Sequence, residues 1–263
     1  MKKDKSAWEH FKLIAILLIP TIFLVWYSFY DGEFGKGDMV LQKTDIADNF
    51  RNNSAPIISG NSDIQLKQQQ DAIVCDTMPQ RILFFGDSML EGLSRRMKQY
   101  AAENRHELLN VIWYSSSTKV WAEHADTLKR FIKDFKPTYI MACMGGNELF
   151  VKDLNKRDAY MKTILQTIGK TPYIWIGPPN WKEDTGINRI MENNVGTRRF
   201  FPSKRLTYKR GSDGAHPTSA SASMWMDSVA CWMNDSIHHR ILMKFPQNNA
   251  KQSGKTILLQ PLK

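Results

Sequence analysis

The chain has 263 residues, of which 42% are hydrophobic and 11% aromatic, enough for one medium domain with its own core. That excludes a disulfide-stapled miniprotein and a wholly disordered chain. Its 36 Lys and Arg against 26 Asp and Glu give a formal charge of +10, which fits an anionic neighbour or simply a solvated surface. Cys75, Cys143 and Cys231 form no C-x-x-C, which argues against zinc ribbons and thioredoxin-like chemistry. Cys143 sits in an apolar run and reads as core; a Cys75–Cys231 disulfide is open to an oxidising compartment.

Residues 1–12 begin the chain with Lys2, Lys3, Lys5 and Lys12 against Asp4 and Glu9. Residues 13–30, LIAILLIPTIFLVWYSFY, carry no formal charge. As a helix they span about 27 Å, close to the ~30 Å of a hydrocarbon core, and Pro20 is tolerated in such a helix. Asp31, Glu33 and Asp38 come next against Lys36, so the positive-inside rule places the N-terminus in the cytoplasm and the rest outside. The bulky Tyr-Ser-Phe-Tyr end favours an uncleaved single-pass anchor over a cleaved signal peptide, which would end in small residues. The expectation is a protein of the cytoplasmic (inner) membrane whose domain faces the periplasm or exterior. Residues 31–74 read as a polar linker, 75–240 as the domain and 241–263 as a basic polar tail.

Within the domain, Arg81–Phe85 reads as a strand that stops at Gly86. Leu90, Leu93, Met97 and Tyr100 recur at helical spacing. Val111–Tyr114 reads as a second strand. Trp121, Ala125, Leu128, Ile132 and Phe135 mark one second helix, ended by Pro137. Tyr139–Met144 is a third strand before Gly145-Gly146, and residues 159–168 are helical. Tyr173–Ile176 is a fourth strand, Arg199–Phe201 a short fifth, and residues 220–233 a last helix. This alternation predicts an α/β domain with a mostly parallel sheet of four or five strands covered on both faces. Ligands of such sheets bind beyond the carboxyl ends of the strands.

The polar residues at those ends form a set. Gly86-Asp87-Ser88 follows strand one, Gly145-Gly146-Asn147-Glu148 follows strand three, and Asp213-Gly-Ala-His216-Pro precedes the last helix. Each block alone is an ordinary turn or cap. Together they supply what acyl transfer needs: a nucleophile (Ser88), its base (His216), a carboxylate to orient the imidazole (Asp213), and oxyanion donors in the Asn147 amide and the Ser88 N–H.

These blocks, over about residues 80–235, resemble those of the SGNH, or GDSL, hydrolase superfamily. The resemblance implies a three-layer α/β/α flavodoxin-like sandwich, nucleophile Ser88, oxyanion donor Asn147, a catalytic Asp213–His216 pair, and neither metal nor cofactor. The family's second block offers a Gly whose N–H completes the oxyanion hole. Here the loop reads Tyr114-Ser-Ser-Ser-Thr118 without Gly, and Ser117 is the expected substitute. Glu148 replaces the family's frequent Asp. Ser-Thr-x-x-Trp, Trp175-Ile-Gly-Pro-Pro179 and Asp-Gly-x-His-Pro look most similar to an envelope-anchored branch linked to polysaccharide O-acetylation beside membrane-bound O-acyltransferases.

The expected activity is therefore extracytoplasmic, serine-dependent acyl transfer to an envelope polysaccharide, with the acetyl group supplied by a membrane-bound partner or taken from an already acylated glycan. A carbohydrate O-acetylesterase with the same site, and a non-catalytic glycan-binding module, are the alternatives; a domain outside the cell excludes nucleic acid as partner. His106 and His124 read as surface or helix-face residues, and His238-His239 as a solvated cap. Trp113, Trp121, Trp175 and Trp181 fall near the active edge, either as core or as sugar-stacking rings. The basic residues Arg198, Arg199, Lys204, Arg205, Lys209 and Arg210 read as an anionic-glycan or headgroup surface, or as a solvated face.

Overall fold

The computed structural model describes residues 35–36, 39–40, 75–235, 237–247 and 251–262. The anchor expected at 13–30 lies outside these residues. Among the described residues no helix is long and apolar enough to cross a membrane. The chain divides into two compact units, residues 1–69 and 70–263. In the first, Gly35–Lys36 pairs antiparallel with Met39–Val40.

The second unit is an α/β domain around a six-stranded, all-parallel sheet. Its strands are β1 (Arg81–Gly86), β2 (Glu107–Trp113), β3 (Tyr139–Cys143), β4 (Tyr173–Ile176), β5 (Phe200–Phe201) and β6 (Lys255–Leu259). They lie in the order β5-β4-β3-β1-β2-β6. The helices are α1 (Met89–Glu103), α2 (Thr118–Glu123), α3 (Ala125–Phe135), α4 (Leu154–Ile168), α5 (Ile187–Val195) and α6 (Ser219–Asp235).

β1 is apolar from Ile82 to Phe85 because both its faces are covered. Ile82 and Phe84 point into a core shared with Leu93 and Met97 of α1 and Trp225 and Val229 of α6. Leu83 and Phe85 point into the opposite core, with Leu128 of α3, Met161 of α4 and Met191 of α5. The strand order reverses at β1, which has β2 on one side and β3 on the other, so the loops after these three strands converge on one edge.

The structure departs from the sequence reading in four stretches. The second helix is two: α2 ends and α3 begins at His124, whose backbone (φ −112°, ψ 41°) is not helical. β2 starts at Glu107, four residues before the expected strand. α5 is an additional helix, burying Ile187, Met191 and Val195 at spacing four. The segment read as a polar tail belongs to the domain: Ile241 and Met243 are core residues, and residues 255–259 add β6 to the outer edge of β2. The pairing left open for Cys75 and Cys231 is not made: all three cysteines are free thiols.

Candidate active site

Gly86 ends β1 where the backbone runs against β3; a Cβ there would stand 1.7 Å from the Cys143 carbonyl oxygen, so no side chain fits. The chain turns into α1 at Ser88, which occupies the N-cap position but makes no cap bond with its side chain. Asp87 caps instead, its Oδ1 accepting the Met89 N–H at 2.9 Å. The Ser88 hydroxyl is thereby left for other partners.

Asp87 also joins the first and third blocks. Gly145, at φ 118°, turns the chain after β3 so that the N–H groups of Gly145 and Gly146 donate to Asp87 Oδ2 at 3.0 and 3.2 Å. The carboxyl is wholly buried. Burial pushes its pKa up to about 6, while the three N–H donors pull the other way.

The Asp213 block is a self-bonded turn. Asp213 Oδ1 accepts the N–H groups of Ala215 and His216 at 2.9 and 3.0 Å, and the His216 Nδ1–H donates to Oδ2 at 2.6 Å. The imidazole bond, then the two backbone bonds, hold the Asp213 carboxyl at about 2, well below the usual range. With its proton on Nδ1, His216 presents Nε2 as an acceptor, and the Ser88 hydroxyl stands 2.9 Å from it. The three expected residues thus form one continuous relay.

Arg210, read as one member of a basic surface, anchors this turn. Its guanidinium donates to the carbonyl of Ala215, beside His216, and to those of Pro179 and Asn180 after β4, at 2.9 and 2.6 Å for the latter two. Of the other basic residues, Arg199 lies over the Tyr173 ring at 5.4 Å, and Lys204 is 3.9 Å from Asp184.

The loop after β2 rests on aromatic rings. Trp121 packs edge-on against Phe85 and Trp113, at 4.8 and 5.1 Å, and its Nε1–H donates to Ser116 Oγ at 3.1 Å. Ser115 holds φ at 57°, a left-handed conformation that glycine adopts more easily, in the loop that lacks the family's Gly. The Ser116 N–H donates to Trp113 O at 3.2 Å and the Thr118 N–H to Glu148 Oε2 at 2.8 Å. The Ser117 N–H has no partner among the described residues, while the Ser117 hydroxyl caps α2 through Val120. Asn147 Nδ2 donates to the Ser116 carbonyl at 2.8 Å. Since these two loops flank β1 in the sheet, the bond spans the end of the strand that leads to Ser88.

Glu148 completes the bracing. It accepts the Thr118 hydroxyl at 2.7 Å and lies 3.4 Å from Arg157. Burial raises its pKa, and these partners oppose the rise.

Ser88 and His216 line a cleft of about 300 Å³ between α1 and α6. Of the four tryptophans near this edge, Trp113, Trp121 and Trp175 are core. Trp181 is half-buried, donates to the Gly146 carbonyl at 3.1 Å, and meets the exposed ring of Phe150 at 5.3 Å. His238 and His239 are exposed, as expected; His106 is not a surface residue. It is buried, accepts the Gln80 N–H on Nδ1 at 3.0 Å, and donates from Nε2 to the Leu242 carbonyl at 2.8 Å.

No protein-family model matches this chain, and neither does any curated protein. The fold and the site by themselves define an α/β protein with a Ser–His–Asp relay at the carboxyl edge of a parallel sheet.

Proposed function

We propose that the protein is a serine-dependent acyltransferase of the cell envelope, a flavodoxin-like sandwich of the SGNH type, which moves an acetyl group through Ser88 onto a polysaccharide hydroxyl. The observation that carries this reading is the continuous relay, Ser88 Oγ to His216 Nε2 at 2.9 Å and His216 Nδ1 to Asp213 at 2.6 Å. His216 takes the Ser88 proton as Oγ attacks the carbonyl carbon of an acyl donor. The resulting oxyanion is met by the Ser88 and Ser117 N–H groups and the Asn147 amide. His216 returns the proton to the leaving oxygen, and an acyl-Ser88 ester remains. An acceptor hydroxyl then gives its proton to His216 and attacks that ester, and His216 passes the proton to Ser88 Oγ as it leaves. The Trp181–Phe150 pair beside Asn147 offers a ring surface for a sugar.

The segment 13–30 anchors the protein in the cytoplasmic membrane with the domain outside, where a membrane-bound O-acyltransferase supplies the acetyl group. A second reading, O-acetylesterase, is favoured by the exposure of Asp213 and the half-exposure of His216, which leave the relay open to water.

The test is reaction of the full-length protein with an activated acetyl ester, followed by mass spectrometry. An acetyl adduct on Ser88 that is released onto an oligosaccharide identifies the transferase; release into water identifies the esterase. Absence of any adduct overturns both and leaves a glycan-binding module.

A further inference from the structure

The cleft at Ser88 contains a charge that the acyl relay does not use. Ser88, Glu91, Gly92 and Arg95 line one wall from α1; Ser219 and Ser223, one turn apart on α6, line the other beside His216 and Pro217. Arg95 is exposed, and its guanidinium has no partner among the described residues. Glu91, four residues earlier, is spaced for an ion pair with Arg95. No such pair forms among the described residues; Glu91 instead accepts a hydrogen bond from the Tyr114 hydroxyl at 3.0 Å. The hydroxyls of Ser219 and Ser223 also make no hydrogen bond among the described residues.

The two walls together therefore offer a cation, Arg95, and two hydroxyl donors within the cleft that holds the nucleophile, while the Glu91 carboxylate on the same lining is engaged by Tyr114. Seven residues of helix separate Ser88 from Arg95, about 10 Å at 1.5 Å per residue. With the reach of an arginine side chain, that matches an anionic group on the sugar that bears the reacting oxygen or on its neighbour.

We propose that Arg95, with Ser219 and Ser223, binds the carboxylate or phosphate of an acidic oligosaccharide, so that the substrate of the relay is an anionic glycan. This rests on the acyl-transfer reading and narrows its substrate class. The excess of Lys and Arg over Asp and Glu beyond residue 30 draws such a polymer in at longer range.

The experiment uses the full-length protein and acetylated oligosaccharides in three forms: an oligouronate, its methyl-esterified neutral counterpart, and a phosphorylated oligosaccharide. The expected result is a kcat/KM about tenfold or more higher for an acidic form than for the neutral one, as a charge-assisted contact provides. Arg95→Ala should remove most of that ratio, and Arg95→Lys should keep part of it. Preference between the two acidic forms tells carboxylate from phosphate. Equal rates on acidic and neutral forms, or an equal loss on both in Arg95→Ala, would overturn the proposal. Ser88→Ala protein provides the second readout, calorimetric binding of the unacetylated oligouronate and phosphorylated oligosaccharide. Binding weakened about tenfold by adding Arg95→Ala supports the proposal even where no turnover occurs, a result that would count against the acyl-transfer reading alone. Binding indifferent to Arg95 overturns it.

Discussion

Asn147 donates its side-chain amide to the carbonyl of Ser116, tying the loop after β3 to the loop after β2 across the end of β1. One amide hydrogen is engaged in this bond; the second is free to meet a developing oxyanion. Asn147→Ala should lower kcat by about 10²–10³-fold with little change in KM, the usual effect of losing one oxyanion donor. Asn147→Asp should be no better, since a carboxylate opposes both the Ser116 carbonyl and the oxyanion. Steady-state kinetics on an activated acetyl ester checks this, and activity within tenfold of wild type would remove Asn147 from the oxyanion hole.

Asp87 accepts three backbone N–H groups, so Asp87→Asn must turn an NH₂ toward at least one of them. The expected loss is about 1–3 kcal/mol for each buried group left unpaired, measured by urea unfolding. The pH dependence has a definite sign. The folded pKa is raised to about 6 from an ordinary 3.8, so the folded state keeps a proton that the unfolded chain releases. The contribution of this group to stability is full below 3.8 and declines as pH rises through 6. Subtracting the Asp87→Asn curve from the wild-type curve should reveal that decline; a flat difference would contradict it.

Arg210 acts through His216. Its planar guanidinium serves carbonyls from two loops at once, which a lysine ammonium does not reproduce. Arg210→Ala should displace the His216 turn and reduce kcat by about 10²-fold, the cost of a small misplacement, with KM nearly kept. Arg210→Lys should recover little. A loss confined to KM would instead place Arg210 in substrate binding.

His106 contributes the opposite slope to Asp87. Burial lowers its pKa from the ordinary 6.5, against the bond to Leu242 and the charge of Asp76, so the folded state holds its proton less firmly than the unfolded chain. The unfolded chain takes up a proton as pH falls below about 6.5, and stability declines there. His106→Gln should be less stable at pH 7 yet lose less between pH 7 and pH 5. Chemical unfolding at several pH values tests this, and parallel curves for the two proteins would refute it.

Much of this arrangement is legible in the sequence, for physical reasons. β1 and β3 stand out because burial on both faces makes them continuously apolar. The relay residues are visible because each lies after a strand or before a helix at a conspicuous turn. The break at His124 is hidden, since the apolar spacing 121, 125, 128, 132, 135 runs through it unchanged. β6 is hidden because an edge strand with Ile257 and Leu258 partly exposed has no buried face to give it a pattern. His106 and Arg210 are misjudged because their partners, the carbonyl of Leu242 and those of Pro179 and Asn180, are remote in the chain and are backbone atoms, which leave no mark in a sequence.

β6 bears on how the protein is made. β2 pairs with it at a separation of 146 residues (Leu109 with Lys255). β6 and the residue after it also fasten the C-terminal end of β2: the Leu259 carbonyl accepts the Tyr114 N–H at 3.0 Å, and the Gln260 carbonyl accepts the Trp113 indole N–H at 2.9 Å. During synthesis, the outer edge of β2 remains an open row of hydrogen-bonding groups, flanked by Leu108, Leu109, Val111 and Ile112, until residues 255–259 emerge. A chain cut back to 75–240 would retain Ser88, Asn147, Asp213 and His216 and yet display that sticky edge. It should associate with its own copies, and the Ser116–Ser117 loop would lose its outer fastening, so a segment made late completes the part of the sheet made first.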